Sequence, residues 1–149
     1  MKSRAHAAVS LAVAVGALAL TTPPIPAWAV VTIALGAGVG IDFDHFLIAR
    51  WRTGDWRAVQ RCLRDPTIVF VDQDAIFERG DVGSFPRLLS HAVIGGVAVP
   101  VLFRFDAYVG GLVAVALYAH VLADLVAGVR DTVAVRHEDL SEETRRAQD

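Results

Sequence analysis

Apolar residues run almost unbroken from Ala7 to Ile41, with no ionisable side chain among them. That run is too long for one membrane crossing, which takes about 20 residues, and suits two crossings joined by a turn. The turn is the segment "TTPPIP", where Pro23, Pro24 and Pro26 cannot continue a helix without losing amide donors. The pattern predicts helix 1 over about residues 5–21 and helix 2 over about 25–41. A second apolar block extends from Leu88 to Phe103, breaks at Arg104 to Asp106, and resumes from Ala107 to about Val129. It predicts helix 3 over about 88–103 and helix 4 over about 107–129, with helix 3 the weakest of the four because it is short and carries Pro100. Gly95, Gly96, Gly110 and Gly111 fall where helices 3 and 4 approach. They either permit close backbone contact in lipid or serve only as flexible points.

Between the two apolar hairpins lies a polar segment, about 43–87. Within it "DWRAVQRCLRD" reads as a short amphipathic helix with Trp56, Val59, Cys62 and Leu63 on one side, and "TIVFV" as a short strand. Trp51 and Trp56 suit the headgroup level of a membrane surface. From Arg130 onward, over 130–149, the chain is polar and helix-compatible and reads as a mobile tail. The expected fold is all-α: a four-helix transmembrane bundle of two hairpins with a polar cytoplasmic central loop, forming a single integral membrane domain over 1–149. A rival reading makes the first segment a signal peptide ending at Ala27-Trp28-Ala29. The apolar run continues past that point, however, so cleavage would leave a mature chain beginning inside a membrane segment.

Composition agrees with a membrane setting: 54% of residues are hydrophobic, 20% are charged, and the mean hydropathy is +0.48. A net charge of -2 and the lack of a basic, aromatic-rich stripe argue against nucleic acid as a primary partner. Cys62 is the single cysteine, so any metal must be held by His, Asp or Glu. Orientation follows from the basic residues. Lys2 and Arg4 precede helix 1, seven arginines lie in the central segment and four follow helix 4, whereas Arg104 alone falls on the other side. Positive residues are retained in the cytoplasm, so the pattern places both termini and the central loop there, in a multi-pass protein of the cytoplasmic membrane.

That topology gathers the ionisable groups. His6 starts helix 1, Asp42, Asp44 and His45 end helix 2, His91 lies at the start of helix 3, and His120 with Asp124 occupies the cytoplasmic half of helix 4. Only His137, in the tail, stands apart from the other histidines. His120 and Asp124 are one helical turn apart and share a face; Asp42 and His45 do so if the helix continues through them. Charges within a membrane are costly and usually mark a functional site. Imidazole and carboxylate ligands suit zinc, and also manganese or iron. Taken singly, His6 or His91 reads equally as an interfacial or hydrogen-bonded residue, and Asp42 and Asp44 as acids that end a helix in water. Convergence is what favours a metal. Other motifs lead nowhere: "GAGVGI" lacks the third glycine of a dinucleotide loop and has no βαβ unit behind it, and Ser90, adjacent to His91, has no serine-triad geometry.

The order of an early His6, "IDFDH", "RLLSH" and "HVLAD" resembles the family of small membrane-bound metal-dependent hydrolases, which is distantly related to zinc-dependent phospholipase C. The resemblance covers about residues 4–128. It departs from the family pattern at Ile41, where a proline is usual, at Pro86, where a histidine often precedes the arginine, and in a longer central loop. The resemblance implies a divalent metal, zinc foremost, held by His45, His91, His120 and Asp124 with Asp42 and His6 completing one or two sites, and Asp44 as the catalytic base. The expected activity is hydrolysis of a phosphoester or lipid headgroup, with membrane lipids as partners and a lipid or small molecule as substrate. A non-catalytic membrane scaffold and a small metal or proton carrier are the alternatives.

Overall fold

The computed structural model describes residues 3–69, 71–78 and 80–146, with the side chains at 74, 137–144 and 146 outside the description. Among the described residues the chain is helical without strands. The helices are α1 (Ser3–Leu20), α2 (Ala27–Gly40), α3 (Asp44–Thr53), α4 (Arg57–Arg64), α5 (Ser84–Phe105) and α6 (Ala107–Arg146). Four segments are long and apolar enough to cross a membrane: Ser3–Leu20, Ala27–Thr53, Ser84–Phe105 and Ala107–Arg136. The protein is accordingly a multi-pass membrane protein.

Burial is inverted relative to a protein that folds in water. The buried face of α1 is His6, Ser10 and Ala14, and that of α2 is Val30, Ala34 and Gly38, while Leu11, Val15, Val97, Val101 and Tyr118 point outward. Lipid tails are as apolar as leucine, so large residues gain little by turning inward and small ones allow helices to approach. Helix α6 is the common element, packing against α1, α2 and α5, while α1 also packs along α2. The closest approach is at Gly38, where a Cβ would lie 1.9 Å from the Ser10 Oγ. Of the four glycines expected between the third and fourth spans, Gly110 is the tight one, a Cβ there meeting the Phe103 backbone at 2.7 Å. Gly96 faces open space.

Helix 2 does not stop at residue 41. It passes through a 3-10 turn (Ile41–Phe43) directly into α3, which ends at Gly54 with a positive φ of 80° and its N–H on the Arg50 carbonyl. The third span starts earlier than its apolar pattern, at Ser84, and runs through Pro100 without a break; Pro86 falls in its first turn, where a missing N–H costs nothing. The fourth continues to Arg146, because no Pro or Gly follows Gly128. The side chain of His137 lies outside the described residues.

In the central segment the expected amphipathic helix forms as α4. The expected strand at "TIVFV" does not: Pro66–Val69 is a 3-10 turn and Phe70 lies outside the described residues. Its cause is local, since the Asp65 carboxylate accepts the Thr67 N–H at 3.0 Å and curls the chain into a turn. The segment is tied back by Arg61, which pairs with Glu78 and donates to the Ile76 carbonyl at 3.1 Å, and by Gln73, whose Oε1 accepts the Ser3 N–H at 2.8 Å.

The contact at Gly38 sets a test of this packing. Gly38→Leu should force α1 away from α2 and destabilise the bundle by about 1–3 kcal/mol, the usual cost of overpacking. Gly36→Leu, whose Cβ would meet nothing within 4 Å, should melt within error of wild type. Equal melting temperatures for the two variants in detergent would contradict this α1–α2 interface.

Candidate metal centre

Helix rise places the ionisable groups at one depth. From the turn end of each span, the distances to His6, Asp42, His91 and His120 are each about 20–22 Å, and to Asp124 about 26 Å, at 1.5 Å per residue. With a hydrocarbon core about 30 Å thick, all lie in the far leaflet, beneath the headgroups. His6, Asp44, His91, His120 and Asp124 are buried, and Asp42 and His45 nearly so.

The imidazoles touch in sequence. His6 stacks on His120 with ring centroids 3.9 Å apart, His120 meets the His91 ring edge-on at 4.9 Å, and His91 stacks on His45 at 5.5 Å. One carboxylate reaches them all: Asp42 lies 3.4 Å from the His120 Nε2, 3.5 Å from His45, 3.8 Å from His91 and 4.0 Å from His6. Asp124 stands 3.5 Å from the His120 Nε2 and 3.2 Å from the His6 Nε2. Asp44 stands 3.4 Å from His91 and 3.7 Å from His45.

Most of these separations are too long for hydrogen bonds, which fall between about 2.7 and 3.2 Å. They match another geometry. Ligands about 2.0–2.2 Å from a tetrahedral ion stand about 3.3–3.6 Å from one another. Among the described residues, six buried atoms of the cluster have no hydrogen-bond partner: Nδ1 of His6, Nε2 of His45, His91 and His120, and Oδ1 of Asp42 and Asp44. Buried polar atoms are normally paired, and a cation satisfies a group of lone pairs that cannot satisfy one another. Two sets have ligand atoms within 4.8 Å of each other, His6 with Asp42, His120 and Asp124, and Asp42 with His45 and His91. These residues can hold a metal ion.

Surrounding groups set the orientations. His120 Nδ1 lies 2.6 Å from the Gly38 carbonyl; a carbonyl only accepts, so Nδ1 carries the proton and Nε2 turns its lone pair to the cluster. Ser90 donates to Asp44 Oδ2 and also lies 2.9 Å from the Arg87 carbonyl. The Arg87 Nε stands 3.4 Å from Asp124 Oδ2. The sequence pattern singles out neither Ser90 nor Arg87 for such roles; the adjacent serine and histidine of "RLLSH" are plain to see, but their significance depends on α3 lying beside α5.

A chamber of about 940 Å³ opens on the cluster from the side of the central segment, lined by Arg4, Asp42, His45, Gln73, Glu78 and Arg87 among others. Cys62 also lines it, but burial pushes its thiol above the usual value, so it is protonated at neutral pH and a poor nucleophile. Comparison of the chain with protein-family models, with curated proteins and with solved structures finds no match.

All seven residues singled out in the sequence meet here, and their grouping is new: Asp42 belongs to both sets, His45 and His91 to one, His120 and Asp124 to the other. Removing one ligand forfeits affinity that water cannot replace. His120→Ala and Asp124→Ala should therefore each lower the divalent metal found by elemental analysis, whereas Asp106→Asn, at the opposite end of the bundle, should not. Protein stripped by a chelator should melt lower and recover on addition of zinc or manganese. Unchanged melting across divalent ions would count against an ion at this place.

Proposed function

We propose that the protein is a metal-dependent hydrolase of the cytoplasmic membrane that acts on phosphoesters at headgroup depth. The observation that supports this most is the set of five buried, partnerless atoms that face one another, Oδ1 of Asp42 and Asp44 and Nε2 of His45, His91 and His120, with the His6 Nε2 from the first span beside them. Zinc is the ion best suited to imidazole and carboxylate donors at these separations, with manganese or iron as substitutes. Because Asp42 belongs to both ligand sets, it would be a ligand whether one ion or two were held there. A divalent ion held there supplies a Lewis acid for a phosphoryl oxygen and lowers the pKa of water toward neutrality.

The chain's own residues do the rest. Asp44 is the base: Ser90 holds its Oδ2, which leaves Oδ1 facing the cluster to take a proton. Arg87, on the wall of the chamber beside Asp124, presents a cation to an anionic substrate. The chamber brings in water and releases a polar product. A carrier would string ionisable groups along the bilayer depth, and here they share one level. A scaffold would need no metal.

Three measurements test the reading. Asp44→Asn should keep its metal and lose about 10²–10⁴ of the turnover of an aryl phosphodiester, the range for a general base. His91→Ala should retain the ion held by the first ligand set, while Asp42→Ala should lose both; metal-free wild type would favour the scaffold. For orientation, the arginine asymmetry predicts that reporters fused after Lys2, at Asp74 and after Asp149 read cytoplasm and one at Pro24 reads the outside. An external signal at Asp74 would reverse the topology.

A further inference from the structure

Next to His45 the wall of the chamber is aromatic. Phe43 stacks on Phe46 with ring centroids 6.3 Å apart, Phe46 meets Phe77 at 5.1 Å, and Phe77 meets the His45 ring edge to face at 6.1 Å. All three phenyl rings line the chamber. Phe43 ends the 3-10 turn, Phe46 belongs to α3, and Phe77 comes from the central segment, which is tied to α1 through Gln73 and Ser3. The rings are not spent on the helix core: Phe43 is 69% exposed, and Phe46 and Phe77 are only partly buried. Arg4 and Arg87 line the same chamber, from α1 and α5. A largely apolar hollow with a few convergent polar groups is the usual form of a small-molecule site, and here those groups are two cations beside Asp42 and His45.

Depth decides what such an occupant is. Measured from the turn end of the second span, Asp42 lies at about 22 Å, Phe43 at about 24 Å and Phe46 at about 28 Å. Phe77 belongs to the central segment, beyond the end of that span at Thr53. Among the described lining residues only Ala7 and Val39 lie deeper than Asp42, at about 18–20 Å. The rings therefore stand on the water side of the cluster, whereas a bilayer phospholipid carries its chains on the membrane side of its phosphate. We infer that the substrate of the proposed hydrolase is a water-soluble phosphoester of an alcohol that carries an aromatic ring, its anion held by Arg4 and Arg87 beside the cluster and its ring against Phe43, Phe46 and Phe77. Guanidinium groups suit the anion, and offset or edge-to-face contacts with three phenyl rings suit a flat apolar group. Hydrolysis joins the oxygen of water to phosphorus and breaks the ester P–O bond; one water proton leaves with the alcohol and the other with the phosphate. This rests on the hydrolase reading for the reaction, and on the chamber alone for the binding.

Binding can be read without turnover, by equilibrium dialysis of phosphonates against full-length, zinc-loaded protein in phosphatidylcholine nanodiscs. Phenylphosphonate should bind about tenfold more tightly than methylphosphonate, the gain from burying about 60 Å² of apolar surface. It should also exceed n-butylphosphonate about threefold, the margin for contact between aromatic rings. Phe43→Ala, which removes a mostly exposed ring and should fold, and Phe46→Ala should each shrink the phenyl preference about threefold or more, with methylphosphonate affinity and bound metal unchanged. Arg4→Gln should weaken all three phosphonates alike. Phe85→Ala, on α5 and 73% exposed, should alter none of them. In the same nanodiscs kcat/KM should be higher for benzyl phosphate in solution than for phosphatidic acid in the bilayer. Equal affinity for the three phosphonates, a phenyl preference untouched in both phenylalanine variants, or a higher kcat/KM for phosphatidic acid would each overturn the inference. An intact phenyl preference with no turnover of benzyl phosphate or of an aryl phosphodiester would uphold the binding and sink the hydrolase reading.

Discussion

Four imidazoles from four separate helices stand within 4.0 Å of one carboxylate, that of Asp42. Asp42 sits in a 3-10 turn, between a helix that crosses the membrane and its continuation, α3. The turn matters because it alters the angular spacing of side chains. An uninterrupted α-helix would carry Asp42, Asp44 and His45 around its axis by 100° per residue. The tighter winding over Ile41–Phe43 changes the angle between Asp42 and the pair Asp44 and His45 that follows it in α3, so the electrostatics of the cluster depend on the local backbone geometry of this turn.

The rest of the bundle accommodates that arrangement. Ser10 and Gly38 let α1 approach α2 closely enough for His6 to stack on His120, and the Gly38 carbonyl in turn orients His120. A single small-residue contact thus sets both a helix spacing and the direction of a ring. On the other side, Ser90 links α5 to Asp44 and leaves one carboxylate oxygen free to face the imidazoles. Neither support is costly in lipid, since the hydroxyls and the carbonyl that provide them are satisfied inside the protein.

Much of this could be read from the sequence because membranes impose a one-dimensional order. An apolar run and a proline turn fix where along the normal a residue lies, which is enough to bring His6, Asp42, Asp44, His45, His91, His120 and Asp124 to one level. Rotation about each helix axis is a different matter. Nothing in the spacing of "IDFDH" says that Asp42 rather than His45 would be common to both ligand sets, because that depends on three other helices. Ser90 and Arg87 stay hidden for the same reason. The missed strand and the early helix ends have another cause: a polar segment carries no lipid-facing pattern, so local turns such as that at Asp65, and the absence of breakers after Gly128, decide its form.

His6 lies near the beginning of the chain and Asp124 near the end of its last span, and they meet at 3.2 Å. During synthesis, the first span must therefore wait in the bilayer with an unsatisfied imidazole until the fourth has entered. A nascent chain stopped before α6 has only one of the two ligand sets, since His120 and Asp124 are still unmade. Completion of the His6 set thus coincides with insertion of α6, and a chain halted before it would leave His6 with Asp42 alone among its ligand partners.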